Sequence, residues 1–342
     1  MKRSFLLCLS MALLFSACHN GKQPQPVLAS ESVDTVSTAN LVDLLSDSIS
    51  RDETRDDLYL RRAQAYFEKE QIGAAMMDVT RAIELNPKNM DAFLLLSEIY
   101  YQMGDQSNIT ATLNRAMEVD PYDSRPVVKM AEISLLQQQY ELALGFVGNA
   151  LKLGPYNPQA YFVKGMVYLA KQDTATALKN FLIAREQDAD FYAPQHEVNK
   201  IYVAQDHPLT EDFLRYTVAH YPDEWLSRYD LALFLQDHEA PEEALLHYDT
   251  LLMLQPGNSR LLFNKGYVYF VYLGDNQKAL EYFSRSLEAD PNYLDALYNK
   301  GHVLEQMGDF VQAKEIYTQV LKQKPNYSLA IEAVNRIANQ ME

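Results

Sequence analysis

Two histidine–glutamate pairs come nearest to catalytic chemistry in this chain. His196-Glu197 begins like a helix that holds zinc through two histidines four residues apart, with the glutamate between them as base, but Lys200 stands where the second histidine is required. His238-Glu239 is followed by Pro241, which stops those candidate ligands from sharing one helix. There is no Gly-x-Ser-x-Gly elbow, no phosphate-binding glycine loop and no cysteine pair at metal spacing. Asp120, Asp123, Asp188 and Asp190 lack both the spacing and the glycine of a calcium loop, and they read as solvated turn residues. The expectation is a noncatalytic chain with no metal ligand and no cofactor. Any chemistry must then be that of binding, and the elements that would present a binding surface decide where to look.

Residues 294–325 show the unit of construction most openly. They read as two short amphipathic helices meeting at Gly308-Asp309, with Leu297, Gly301 and Leu304 on one face of the first. Ala313, Tyr317 and Val320 of the second fall at the i, i+4, i+7 spacing of a buried stripe. Pro325 ends the pair. Such a pair cannot bury its apolar faces alone and needs neighbours of its own kind. The neighbours are closed by Pro87, Pro121, Pro155, Pro222, Pro256, Pro291 and Pro325, with Ala189 in one proline's place, in steps of 33 to 35 residues. The fold class expected is all-α, a solenoid of about eight helix-turn-helix units. Gly104, Gly274 and Gly308 suit left-handed helix ends, and Asn157-Pro158 suits a cap followed by the first helical residue.

The 34-residue period with its slots of small and aromatic residues resembles the tetratricopeptide repeat. Tyr161, Gly165, Tyr168, Ala177, Phe181 and Ala184 fill the slots of the fourth unit, and Gly266, Tyr269, Ala279 and Phe283 those of the seventh. A small residue lets two helix axes approach, and a ring opposite fills the gap. On this resemblance residues 40–55 form an amino-terminal half repeat, 56–325 the superhelical array of eight repeats, and 326–342 a polar-backed capping helix. The fifth unit, near residues 191–222, is one residue short and has Thr210 and Glu211 where a small residue belongs, so it is either a drifted repeat or a hinge. The seventh has one extra residue between Gly266 and Gly274.

In tetratricopeptide arrays the first helices line a groove, and the resemblance places a specific set of side chains on it. These are Phe162 and Met166, Tyr229 and Leu233, Phe263 and Tyr267, and Tyr298 and His302, with Leu60, Phe67, Leu94 and Tyr101 in the earlier units. The slots for packing between helices are taken by other residues, so a second apolar set implies a surface with a purpose. Asn264 and Asn299 occupy equivalent positions and could bond a bound peptide's backbone or cap the groove wall locally. Tyr229 and Leu233 stand where the carboxylate clamp of chaperone-binding members needs lysine and asparagine. An acidic carboxyl-terminal tail is therefore not the expected ligand. A peptide or helix with apolar anchors and basic flanks fits better; the alternative is a small molecule or glycan stacked on the aromatics of the last units.

The net charge is −16, and residues 1–17 contribute +2 through Lys2 and Arg3, leaving −18 for the rest. That surface repels phosphate backbones, which argues against nucleic acid, although acidity also serves simply to keep a helical array soluble. Residues 1–17 read as an export signal, two cations and then an apolar run too short to span a bilayer. Phe15-Ser16-Ala17-Cys18 resembles the bacterial lipoprotein box, which makes Cys18 the lipidated first residue of the mature chain. Cys8 lies in the signal, so the mature chain has no disulfide. Residues 18–39 are poor in large apolar side chains and are expected to form a tether reaching up to roughly 70 Å. His19 in place of an aspartate favours, by the enterobacterial pattern, the periplasmic face of the outer membrane. The expected role is a lipid-anchored scaffold that binds envelope proteins or peptides, with self-association left open.

Overall fold

The computed structural model describes residues 38–238 and 240–341, with side chains over 41–340 within that span. The export signal, Cys18 and nearly all of the tether lie outside the described residues. Among the described residues the regular elements are eighteen α-helices and one π-helical turn. Contacts divide the chain into two compact units, one ending at Ile201 and the other beginning at Tyr202.

In the first unit α1 (Thr38–Arg51) precedes four helix pairs: α2 (Asp56–Glu68) with α3 (Ile72–Leu85), α4 (Met90–Gln102) with α5 (Gln106–Val119), α6 (Arg125–Leu136) with α7 (Tyr140–Leu153), and α8 (Pro158–Ala170) with α9 (Thr174–Gln187). Each first helix packs on its own second helix, and α3, α5 and α7 each pack on the next first helix. The first helices α2, α4, α6 and α8 also touch in succession. The division between the units falls within α10 (Tyr192–Ala204).

The second unit continues with α11 (Thr210–His220), then α12 (Trp225–Asp237) with α13 (Pro241–Leu254), α14 (Ser259–Tyr267) with α15 (Asn276–Ala289), α16 (Leu294–Gln306) with α17 (Phe310–Gln323), and α18 (Ser328–Met341). The π-helical turn, Val268–Tyr272, follows α14 directly. It houses the extra residue of this repeat: the Leu273 N–H reaches back five residues to the Val268 carbonyl at 3.2 Å.

Local chemistry fixes where these helices begin and end. Asn89, Asn157 and Asn258 cap first helices, and Asp105, Asp173, Asp275 and Asp309 cap second helices, each side chain accepting a backbone N–H of the first turn. Between the helices of a pair the chain needs one left-handed residue. Gly104, Gly274 and Gly308 supply it as expected, at φ 73°, 67° and 82°. Glu70, Gln138, Gln172 and Asp206 take the same conformation with a side chain attached.

The core is built by the small-against-ring rule. A β-carbon on Gly165 would lie 2.5 Å from Phe181, one on Gly266 2.8 Å from Phe283, and one on Gly301 2.9 Å from Tyr317. All three rings are fully buried, so those helix pairs approach as closely as they do because the facing residue has no side chain. Thr210 of the weak fifth repeat serves as a small buried residue, its hydroxyl donating to the His207 carbonyl at 2.6 Å. At the last helix Ala330, Ala333 and Ile337 are buried while Glu332, Asn335 and Arg336 face solvent.

Candidate functional site

The first helices of the second unit carry three rows of side chains, one row to a helix. Tyr229, Leu233 and Asp237 follow one another on α12 at intervals of four. On α14 Phe263 and Tyr267 do the same, and the π turn brings Tyr272 beneath Tyr267 at an interval of five. Tyr298 and His302 form the row on α16.

The upper ring of each row rests on the buried ring of its own second helix. Centroids are 6.4 Å apart for Tyr229 and Tyr248, 5.6 Å for Phe263 and Phe283, and 5.6 Å for Tyr298 and Tyr317. The first unit repeats the arrangement on α8, where Phe162 lies 5.7 Å from Phe181 and 5.3 Å from Phe191. The sequence-based expectation that this set takes no part in packing is thereby corrected. Phe162, Tyr229, Phe263 and Tyr298 are half-buried and close the core from above, because a ring at that position is long enough to reach the second helix. Leu60 on α2 goes further and is buried outright.

The next position in each row, Met166, Leu233, Tyr267 or His302, is half-buried too. Tyr267 lies 6.1 Å from Phe263 and 6.1 Å from Tyr272, and His302 meets Phe270 edge-on at 5.0 Å. Burial holds the His302 imidazole below its ordinary range, so near neutral pH it offers a ring and not a charge. Burial likewise raises the Tyr229 hydroxyl, keeping it protonated.

The two asparagines are engaged within the protein. Asn264 is buried and its amide donates to the Tyr229 hydroxyl at 3.2 Å, tying α14 to α12. The Asn299 amide donates to the Asp295 carbonyl of its own helix at 2.8 Å. These bonds give both asparagines a local structural role. A second tie joins the same two repeats: the Tyr272 hydroxyl donates to Asp237 Oδ1 at 2.5 Å. Its one mark in the sequence is the extra residue between Gly266 and Gly274. Tyr293 and Tyr327 extend the ring surface, at 5.2 Å from Phe263 and 5.5 Å from Tyr298. Sequence reasoning does not place them on this surface, because Tyr293 stands just ahead of α16 and Tyr327 just ahead of the last helix, α18, outside the periodic slots.

The remaining sequence candidates have structural roles. Glu197 accepts from Lys200 at 2.9 Å, and Asp120 and Asp188 each accept a backbone N–H two residues on, as turn residues do. Two clefts of about 250 and 460 Å³ are lined by other side chains, Asp249, Lys265 and Tyr282 among them in the first and Lys314 and Lys322 in the second.

This architecture defines the class. Tetratricopeptide repeat family models match residues 56–89, 229–293 and 270–337, so the chain carries tetratricopeptide repeats, and its fold is the all-α tetratricopeptide superhelix. Among curated proteins it is similar to the photosystem I assembly protein Ycf3 of Acaryochloris marina, 41% identical over 76 residues, 21% of this chain and 44% of that protein. A TPR repeat-containing protein of Methanocaldococcus jannaschii is 27% identical over 185 residues, 53% of this chain and 28% of its own length. The chain therefore spans less than half the length of either relative. The structure of the APC/C hetero-tetramer Cut9-Hcn1 matches with a TM-score of 0.53 at 16% identity, covering 86% of this chain and 58% of that one, a likeness of fold.

Proposed function

We propose that the chain is a noncatalytic scaffold that binds a protein or peptide along the rows of α12, α14 and α16. The observation that carries this reading is the continuity of half-buried rings and apolar side chains from Tyr229 to His302 over three successive first helices. An extended or helical peptide can lay successive anchors on such a face. A glycan stacked on the same rings is the alternative, and experiment separates the two. We also propose export, lipidation at Cys18 and attachment to the periplasmic face of an outer membrane, supported by the pattern of residues 1–18.

The test pairs a random peptide display with a glycan array, using the purified chain and its Tyr267→Ala, His302→Ala double variant. Peptide enrichment by the wild type that the variant loses, with helicity retained at 222 nm, supports the reading. Enrichment of glycans alone contradicts it. For the anchor, Cys18→Ser should release the protein from the membrane fraction, and unchanged attachment would refute lipidation there.

A further inference from the structure

The π turn does more than absorb an extra residue. In an uninterrupted α-helix the side chain following Phe263 and Tyr267 in the row would be that of residue 271, and Val271 is apolar and exposed here. The wider turn places Tyr272 in the row instead, in line with Asp237 at the end of the α12 row, and the two are joined at 2.5 Å. Asp237 is exposed, and its hydrogen bonds come from Tyr272 and from the amide of Gln236 at 3.3 Å, both to Oδ1. No lysine or arginine among the described residues forms an ion pair with it. Tyr272 meets this carboxylate through its hydroxyl, and the Tyr267 ring lies 6.1 Å from the Tyr272 ring, steeply inclined to it at 68°.

An exposed carboxylate with two tyrosine rings next to it along the row is complementary to a cation. Ring faces attract ammonium and guanidinium groups, and the carboxylate supplies the countercharge. The net charge of −16 favours the approach of a basic partner over any anionic one. We infer that Asp237, Tyr267 and Tyr272 form a subsite for a lysine or arginine side chain of the bound peptide, created by the π turn. This rests on the peptide-binding reading and adds to it the chemical class of one anchor. Apolar anchors then occupy the rows between Phe263 and His302, and the basic side chain sits at the Asp237 end.

The experiment is a random 12-residue peptide display selected on the full chain and on Asp237→Asn, which removes the charge and keeps the acceptor for Tyr272. A wild-type-selected peptide is then synthesised and titrated by fluorescence anisotropy at 50 and 300 mM salt. The expected result is a lysine or arginine enriched at one position by the wild type and not by Asp237→Asn. The synthetic peptide should bind the variant about tenfold more weakly, with a flatter salt dependence. Tyr272→Leu, which keeps the length of the turn and removes the ring and hydroxyl beside Asp237, should weaken the same preference. If Asp237→Asn selects the same basic position with unchanged affinity, the subsite is refuted while peptide binding stands. If the wild type enriches no peptide, the peptide-binding reading fails and the subsite with it.

Discussion

Replacing Gly165 with alanine tests the packing rule on which the repeats depend. The new β-carbon would stand 2.5 and 2.6 Å from two carbons of the Phe181 ring, which is fully buried and packs against Phe162 as well. Overpacking of this kind costs about 1–3 kcal/mol. Alanine also gains about 1 kcal/mol over glycine inside a helix, so the net loss should be about 0–2 kcal/mol. Gly145 separates the two terms. It lies inside α7 with nothing within 4 Å of an added β-carbon, so Gly145→Ala should stabilise by up to about 1 kcal/mol. The assay is chemical denaturation followed at 222 nm, with Phe181→Leu added to Gly165→Ala as a relief variant. The difference between the two alanine variants should be about 1–3 kcal/mol, and Phe181→Leu should shrink the penalty. Equal stabilisation by both alanines would refute close helix approach at Gly165.

Backbone and charge give two more outcomes. Gln172→Gly, at a left-handed position with φ 63°, should stabilise by about 1 kcal/mol, whereas Gly308→Ala, at φ 82°, should cost about as much, both read from denaturation midpoints. Burial holds His196, His247 and His302 below the usual imidazole range, so the unfolded chain takes up protons first as pH falls through about 6.5. Stability contributed by these groups is present above that pH and declines below it. Glu305, held low first by its hydrogen bonds from Arg336, adds a second loss as pH falls below about 4.5. Melting temperature should therefore drop from pH 7.5 to 5.5, less so in His247→Gln, and an unchanged slope in that variant would contradict the assignment.

The period, the small-against-ring slots and the glycine turns are legible in the sequence because each is enforced at the same place in repeat after repeat. Gly165 with Phe181, Gly266 with Phe283 and Gly301 with Tyr317 are steric necessities, and their residue types announce them. The left-handed Glu70, Gln138, Gln172 and Asp206 are not legible, since their conformation is imposed by the helices on either side and leaves no mark on the residue type. The rows themselves can be read from helical spacing, but their depth cannot. Whether a ring at the Phe263 position reaches the second helix depends on helix separation, which no single sequence position encodes. The extra residue of the seventh repeat can be counted, whereas its form as a π turn, and the Tyr272–Asp237 tie it makes, require three dimensions.

The most direct measurement is hydrogen exchange by mass spectrometry on the full chain with and without a display-selected peptide. Slowed exchange confined to α12, α14 with its π turn, and α16 is the result expected if the rows bind the peptide. Protection confined to the second helices α13, α15 and α17, or to the first unit, would contradict binding at this face.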